Sequence, residues 1–194
     1  AVIEPWIKRD GLWFDGLAPL AAPPPFLVGH YTAGAGDAER VHRVLVQRGL
    51  SVQCIGERDG DMSQTADLDR KCAHAGSKGT RGLGVEMVNP GYPHGSFARS
   101  WGPLVASSVH GKPKEFYAFT DAQLTSLVAL AEALAAHFGW PRQVPDTDRV
   151  LTPGEIARWR GVLEHLHLTK RKVDAGMLLC GALVRAGWKP VSPR

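Results

Sequence analysis

Apolar positions along the chain alternate between two spacings, and the switches mark the elements. After the Pro-rich stretch Ala21 to Pro25 comes Phe26-Leu27-Val28, the short continuous apolar run of a buried strand, closed by Gly29-His30. His30 therefore falls at the C-terminal edge of a strand. Gly34 and Gly36 predict a turn, and Asp37 can cap a helix whose apolar positions Val41, Val44 and Leu45 repeat at helical spacing before Gly49 ends it. From Ser51 to Asp67 the pattern becomes strand-like on both sides of Asp59-Gly60, a hairpin signal. Leu83 to Val88 is a further apolar run, interrupted by Gly84 and Glu86 and stopped by Asn89-Pro90-Gly91. A carboxylate inside such a strand requires a reason.

The stretch Tyr92 to Pro113, rich in Gly, Pro and Ser and carrying His94 and His110, reads as a long surface loop of the kind that lines a site. The clearest helix follows it. Thr120 and Gln123 have capping-box spacing, and Leu124, Leu127, Val128, Ala131, Leu134, Ala135 and Phe138 share one face before Gly139. Thr152 and Glu155 repeat the box ahead of a short helix through Trp159. A last helix is expected from about Ala175 to Ala186, with Gly187 as its stop.

Composition narrows the class without choosing a function. At 194 residues, 44% hydrophobic and 22% charged, one globular domain is expected. No apolar run reaches the ~20 residues that span a bilayer, and Ala1 to Asp10 lacks the basic start and apolar core of a signal peptide. Cys54, Cys72 and Cys180 are scattered without a CxxC spacing, which argues against a disulfide framework or a Cys-rich metal site. The net charge of +4 suits a polyanionic partner such as nucleic acid, anionic lipid or an acidic cell wall. Apart from Lys170, Arg171 and Lys172 the basic residues are dispersed and do not interleave with aromatics, so nucleic acid is not an expected partner. A monomer is expected.

Several polar residues fit a purely structural role poorly: His30 at a strand end, Glu86 within an apolar strand, and His165, Lys172 and Asp174 ahead of the last helix. Two imidazoles and a carboxylate make a three-ligand zinc site with an open fourth position. Zinc drops the pKa of a bound water to ~7. Glu86, desolvated among Val85, Met87 and Val88, would then serve as general base, and the Lys172 ammonium would stabilise an oxyanion. Each residue also has a bland reading: a strand-end structural histidine, an edge-strand glutamate, a solvated basic run and a helix cap. With eight histidines in the chain, spacing alone does not choose between the two.

The local sequences do choose. Phe26 to Gly34 (Phe-Leu-Val-Gly-His-Tyr-Thr-Ala-Gly) resembles the strand ending in His-x-Thr-Ala of the zinc-dependent N-acetylmuramoyl-L-alanine amidases, the family of phage lysozyme-like amidases, anhydromuramyl-peptide amidases and peptidoglycan recognition proteins. Glu57 to Asp61 resembles that family's hairpin, His74-Ala75-Gly76 its substrate-facing His-Ala-Gly, and Gly84 to Asn89 the strand carrying the catalytic glutamate. His165 to Gly176 is similar to its His…Lys-x-Asp-Pro-Gly segment.

This resemblance, spread over about Phe26 to Gly187, implies a single α/β domain: a central mixed β-sheet flanked by helices, with a zinc groove at the strand ends. Residues 1–25 would be an N-terminal extension packing on an amidase domain of residues 26–194, with an insertion at about 146–163. It implies zinc held by His30, His165 and Asp174, catalysis by Glu86 and Lys172, and substrate contacts from His74, Thr32 and Asn89. The partner would be bacterial peptidoglycan or muropeptides, cut between the lactyl group of N-acetylmuramic acid and L-alanine. Three departures stand out. Ala175 replaces the usual Pro, Val52 stands where some members have a catalytic Tyr, and His167 competes with His165 as second ligand because both could project from one side of an extended strand. His42, His94, His110 and His137 lie in no motif. A zinc-free peptidoglycan-binding module and a zinc peptidase acting within the stem peptide are the alternatives.

Overall fold

The computed structural model describes residues 11–79, 81–93 and 101–194, with only the backbone of Lys78 included. Its centre is a five-stranded sheet in the order β3-β2-β4-β1-β8. The strands are β1 (Phe26–Tyr31), β2 (Cys54–Gly56), β3 (Met62–Gln64), β4 (Leu83–Met87) and β8 (Gly161–Glu164). β2, β4, β1 and β8 run parallel, and β3 pairs antiparallel with β2 at one edge. The expected mixed central sheet is therefore present, and the hairpin at Asp59-Gly60 joins β2 to β3.

Strand alternation sorts the core into two layers. Leu27 and Tyr31 of β1, Leu83, Val85 and Met87 of β4 and Val162 of β8 pack beneath helix α3 (Asp121–Phe138) and helix α5 (Leu178–Arg185), through Leu127, Leu130, Leu134, Leu179 and Leu183. Phe26, Val28 and Leu163 face the opposite way, onto Ile156 of helix α4 (Pro153–Arg158) and Trp159 beside it. Val41 and Leu45 of helix α1 (Ala38–Gln47) cover Val52, Ile55 and Val88 on that second side. Helices on both faces bury strands that expose almost nothing, as parallel sheets require.

The capping signals hold. Asp37 caps α1, and Thr120–Gln123 and Thr152–Glu155 form complete capping boxes at α3 and α4. Two expectations do not. The last helix begins at Leu178, because Met177 in the left-handed region is its N-cap and Asp174 is used elsewhere. The supposed loop from Tyr92 to Pro113 contains a hairpin, β5 (Leu104–Val109) and β6 (Lys112–Tyr117), while His94 lies outside the described residues. Both turn residues, His110 and Gly111, have positive φ (55° and 74°), the backbone of a tight hairpin turn. The hairpin stands off the core with most of its side chains exposed, so its apolar alternation is faint in the sequence.

The other elements are α2 (Gly76–Gly79) and β7 (Gln143–Pro145), which pairs in parallel with β9 (Lys189–Val191). Residues 11–25 run along the sheet edge: Phe14 donates to the carbonyl of Thr65, Leu20 to that of Asp69, and Pro19 bridges Arg70. No helix among the described residues is long and apolar enough to cross a membrane.

Candidate metal centre and groove

Register places the site. His30 stands opposite Glu86 on the neighbouring parallel strand, so both side chains rise from the same face at the C-terminal ends of β1 and β4. β8 ends at Glu164, opposite Gly29, and the chain then turns through a short 3-10 turn, His165–His167. That turn sends His165 toward His30. A loop returns with Asp174, whose carbonyl accepts from the amide of Leu166. The Asp174–Ala175 peptide is cis.

His30 Nδ1 lies 2.9 Å from His165 Nδ1 and 3.1 Å from Asp174 Oδ2, and His165 Nδ1 lies 2.9 Å from the same oxygen. All three residues are buried. Two imidazole nitrogens and a carboxylate oxygen facing one another this closely form a donor set that could hold a metal ion. Burial lowers the His30 pKa to about 4, so its ring is neutral as a ligand must be. Burial works against ionisation of Asp174, yet hydrogen bonds to His165 and His30 hold its carboxyl well below the usual range. The donor set matches borderline divalent metals, with two nitrogens and one oxygen leaving a coordination position free.

These atoms open into a groove of about 250 Å³ lined also by Thr32, Glu86 and Lys172. Burial pushes the Glu86 carboxyl up to about 8; the Asp174 charge adds to the shift, while Lys172 and Arg48 oppose it. Lys172 is exposed, and its backbone carbonyl faces His110 Nε2 at 3.1 Å, which fastens the hairpin tip to the loop before Asp174. Val52 lies in the groove wall without a hydroxyl to offer.

The other expected residues divide. His167 belongs to a different network: Nδ1 accepts from the amide of Glu164 and Nε2 donates to the carbonyl of Thr147. The 3-10 turn breaks the two-residue alternation that would have put it beside His165. Asn89 is fully buried, with its amide donating to the carbonyls of Tyr117 and Ala118 and its oxygen accepting from Gly91. Its side-chain nitrogen and oxygen thus both have protein partners. Thr32 lines the groove, but its hydroxyl donates to the carbonyl of Gly34 and accepts from the Asn89 amide. His74 also lines the groove, and both its ring nitrogens meet protein partners: His30 Nε2 at 3.0 Å and the Gly82 carbonyl at 3.3 Å.

One buried group was not singled out. Glu164 is fully buried on the α5 side of the sheet, where its oxygens accept from the amides of Met177 and Cys180 at 2.6 and 2.8 Å. It thus caps α5 from a distant strand. The signal that marks Glu86, a carboxylate in an apolar run, is equally present at Val162-Leu163-Glu164.

The sequence model of the N-acetylmuramoyl-L-alanine amidases matches residues 20–177. The chain belongs to this family. Amidase structures share its fold. The endolysin N-acetylmuramoyl-L-alanine amidase LysCS from Clostridium intestinale superposes with a TM-score of 0.59 at 16% identity, covering 91% of each chain. AmpDh3 from Pseudomonas aeruginosa, solved in complex with anhydromuramic pentapeptide, gives 0.56 at 18% identity over 93% of this chain and 66% of that one. Drosophila peptidoglycan recognition protein SA gives 0.54 at 12% identity over 92% and 88%. No curated protein sequence matches the chain.

Proposed function

We propose that this amidase-family chain hydrolyses the amide bond between the lactyl carbonyl of N-acetylmuramic acid and L-alanine, using zinc held by His30, His165 and Asp174. The observation carrying this reading is the convergence of those three donor atoms beside Glu86 in one groove. Bound there, zinc supplies Lewis acidity to water and to the amide carbonyl. Glu86 accepts a proton from the attacking water, the carbonyl carbon–nitrogen bond breaks, and Glu86 returns the proton to the departing amine. Lys172 sets an ammonium at the groove, where negative charge develops on the carbonyl oxygen. A carboxyl raised to about 8 holds its proton at neutral pH. A divalent charge nearby favours the carboxylate, which couples base ionisation to metal loading.

The groove continues along α1 past Arg40, Val44 and Arg48, offering an apolar wall and two guanidinium groups to a peptide bearing free carboxylates. The test is product analysis by mass spectrometry on intact sacculi and on soluble muropeptides, with and without chelator. Expected products are stem peptides with a free L-alanine amine and glycan with a free lactyl carboxyl, both lost on chelation and restored by zinc. Muramic acid still carrying L-alanine would identify a stem-peptide peptidase instead. A protein that takes up no zinc and cleaves nothing when zinc is added would be a binding module.

A further inference from the structure

A histidine that ligates through Nδ1 must be neutral and must carry its proton on Nε2. Nothing within the His30 ring enforces that tautomer, so a neighbour has to. His30 Nε2 lies 3.0 Å from His74 Nδ1, and His74 Nε2 lies 3.3 Å from the carbonyl oxygen of Gly82. The carbonyl can only accept, which places the His74 proton on Nε2 and leaves a lone pair on its Nδ1. That lone pair demands a donor, and among the described residues His30 Nε2, 3.0 Å away, is placed to supply it. The chain of three groups is thus polarised from a fixed backbone carbonyl toward the metal cluster.

Packing holds the relay in line. The two rings are nearly perpendicular, at 84° with centroids 5.1 Å apart. The His74 ring lies directly on Gly84 of β4, where an added Cβ would come within 2.8 Å of it. Glycine at this strand position is what allows the imidazole to reach β1.

We propose that His74 is a positioning residue that accepts from His30 Nε2–H and so holds the His30 ring in the orientation and tautomer in which Nδ1 can ligate a metal beside Asp174 and His165. This rests on the metal-binding reading above and assigns His74 a role other than substrate recognition, since neither ring nitrogen is left for a ligand. Outer partners of this kind are worth roughly 10- to 100-fold in metal affinity.

Three variants and one spectrum test it. In His74→Asn the carboxamide oxygen replaces Nδ1 as acceptor; in His74→Leu nothing does; in Gly84→Ala the ring is retained and displaced. Zinc alone, titrated against a chelator, should bind His74→Asn within about threefold of the parent and bind His74→Leu and Gly84→Ala roughly 10- to 100-fold more weakly. The visible bands of the cobalt-loaded protein should shift in the same two variants. Long-range proton–nitrogen spectra of the zinc-loaded parent should show both His30 and His74 protonated at Nε2, a readout that needs no variant to fold. Parent-like zinc affinity in His74→Leu, equal weakening in Asn and Leu, or a proton on His74 Nδ1 in the zinc-loaded parent would each overturn the proposal. A KM increase in both His74 variants at unchanged zinc affinity would overturn it in favour of substrate contact. If the parent takes up no zinc, the metal-binding reading itself fails, whereas a parent that binds zinc with variants that bind it equally well would overturn the His74 role alone.

Discussion

Glu164→Gln should change how stability depends on pH, by an amount the structure sets. Burial raises the Glu164 carboxyl to about 7 from an ordinary 4.5, only partly offset by the amides of Cys180 and Met177. An acid with a raised folded pKa binds more protons folded than unfolded, so stability falls as pH rises. Its contribution is fully present below 4.5, declines between 4.5 and 7, and is flat above. The full penalty is roughly 3 kcal/mol, most of which falls between pH 5 and pH 8. Glutamine cannot ionise, and alternation along β8 turns this side chain toward α5, away from the metal cluster. Urea unfolding of chelated parent and variant at both pH values isolates the effect, because every other titrating group appears in both proteins. The variant should gain roughly 2 to 3 kcal/mol relative to the parent on going from pH 5 to pH 8. Parallel pH profiles would refute the assignment of Glu164 as a buried, proton-holding cap.

Other consequences are tested at the groove. Glu86→Gln should keep parental zinc affinity and lose roughly 10²- to 10⁴-fold in kcat, measured on soluble muropeptide; undiminished turnover would remove it from the base role. Lys172→Met should raise the barrier of the chemical step by roughly 2 to 4 kcal/mol with KM little changed, whereas an effect confined to KM would point to binding alone. Asn89→Ala should cost roughly 2 to 4 kcal/mol in urea unfolding, because two carbonyls and one amide lose their partner, and leave KM unaltered. A raised KM at full stability would instead restore Asn89 to the substrate site.

Much of the architecture is legible from spacing. The run Phe26 to His30, the Asp59-Gly60 turn and the boxes at Thr120 and Thr152 each encode a local decision, and each forms as written. Glu86 announces itself by contradicting its apolar neighbours. Where the local pattern leaves a residue's role open, the partner that bears on it lies far away in sequence. Whether Asp174 caps a helix or turns inward depends on His30, 144 residues earlier. Asn89 carries a motif position, yet its fate is set by carbonyls of the β6 end that no local pattern displays. His74 could face a ligand or a strand, and the missing Cβ of Gly84 decides.

That sequence distance has a further meaning for how the protein matures. Donor atoms on β1 and in the loop after β8 meet only once those strands lie side by side, so a partly folded chain offers zinc little beyond separate imidazoles. Binding energy of that kind accrues to the native state alone; at free zinc a thousandfold above Kd it amounts to about 4 kcal/mol. If zinc binds as proposed, the ion would not guide early folding but would clasp the finished product, joining the first strand to the return loop near the C-terminus. A chelator would then act twice, withdrawing the reagent from the groove and releasing the clasp between its two walls.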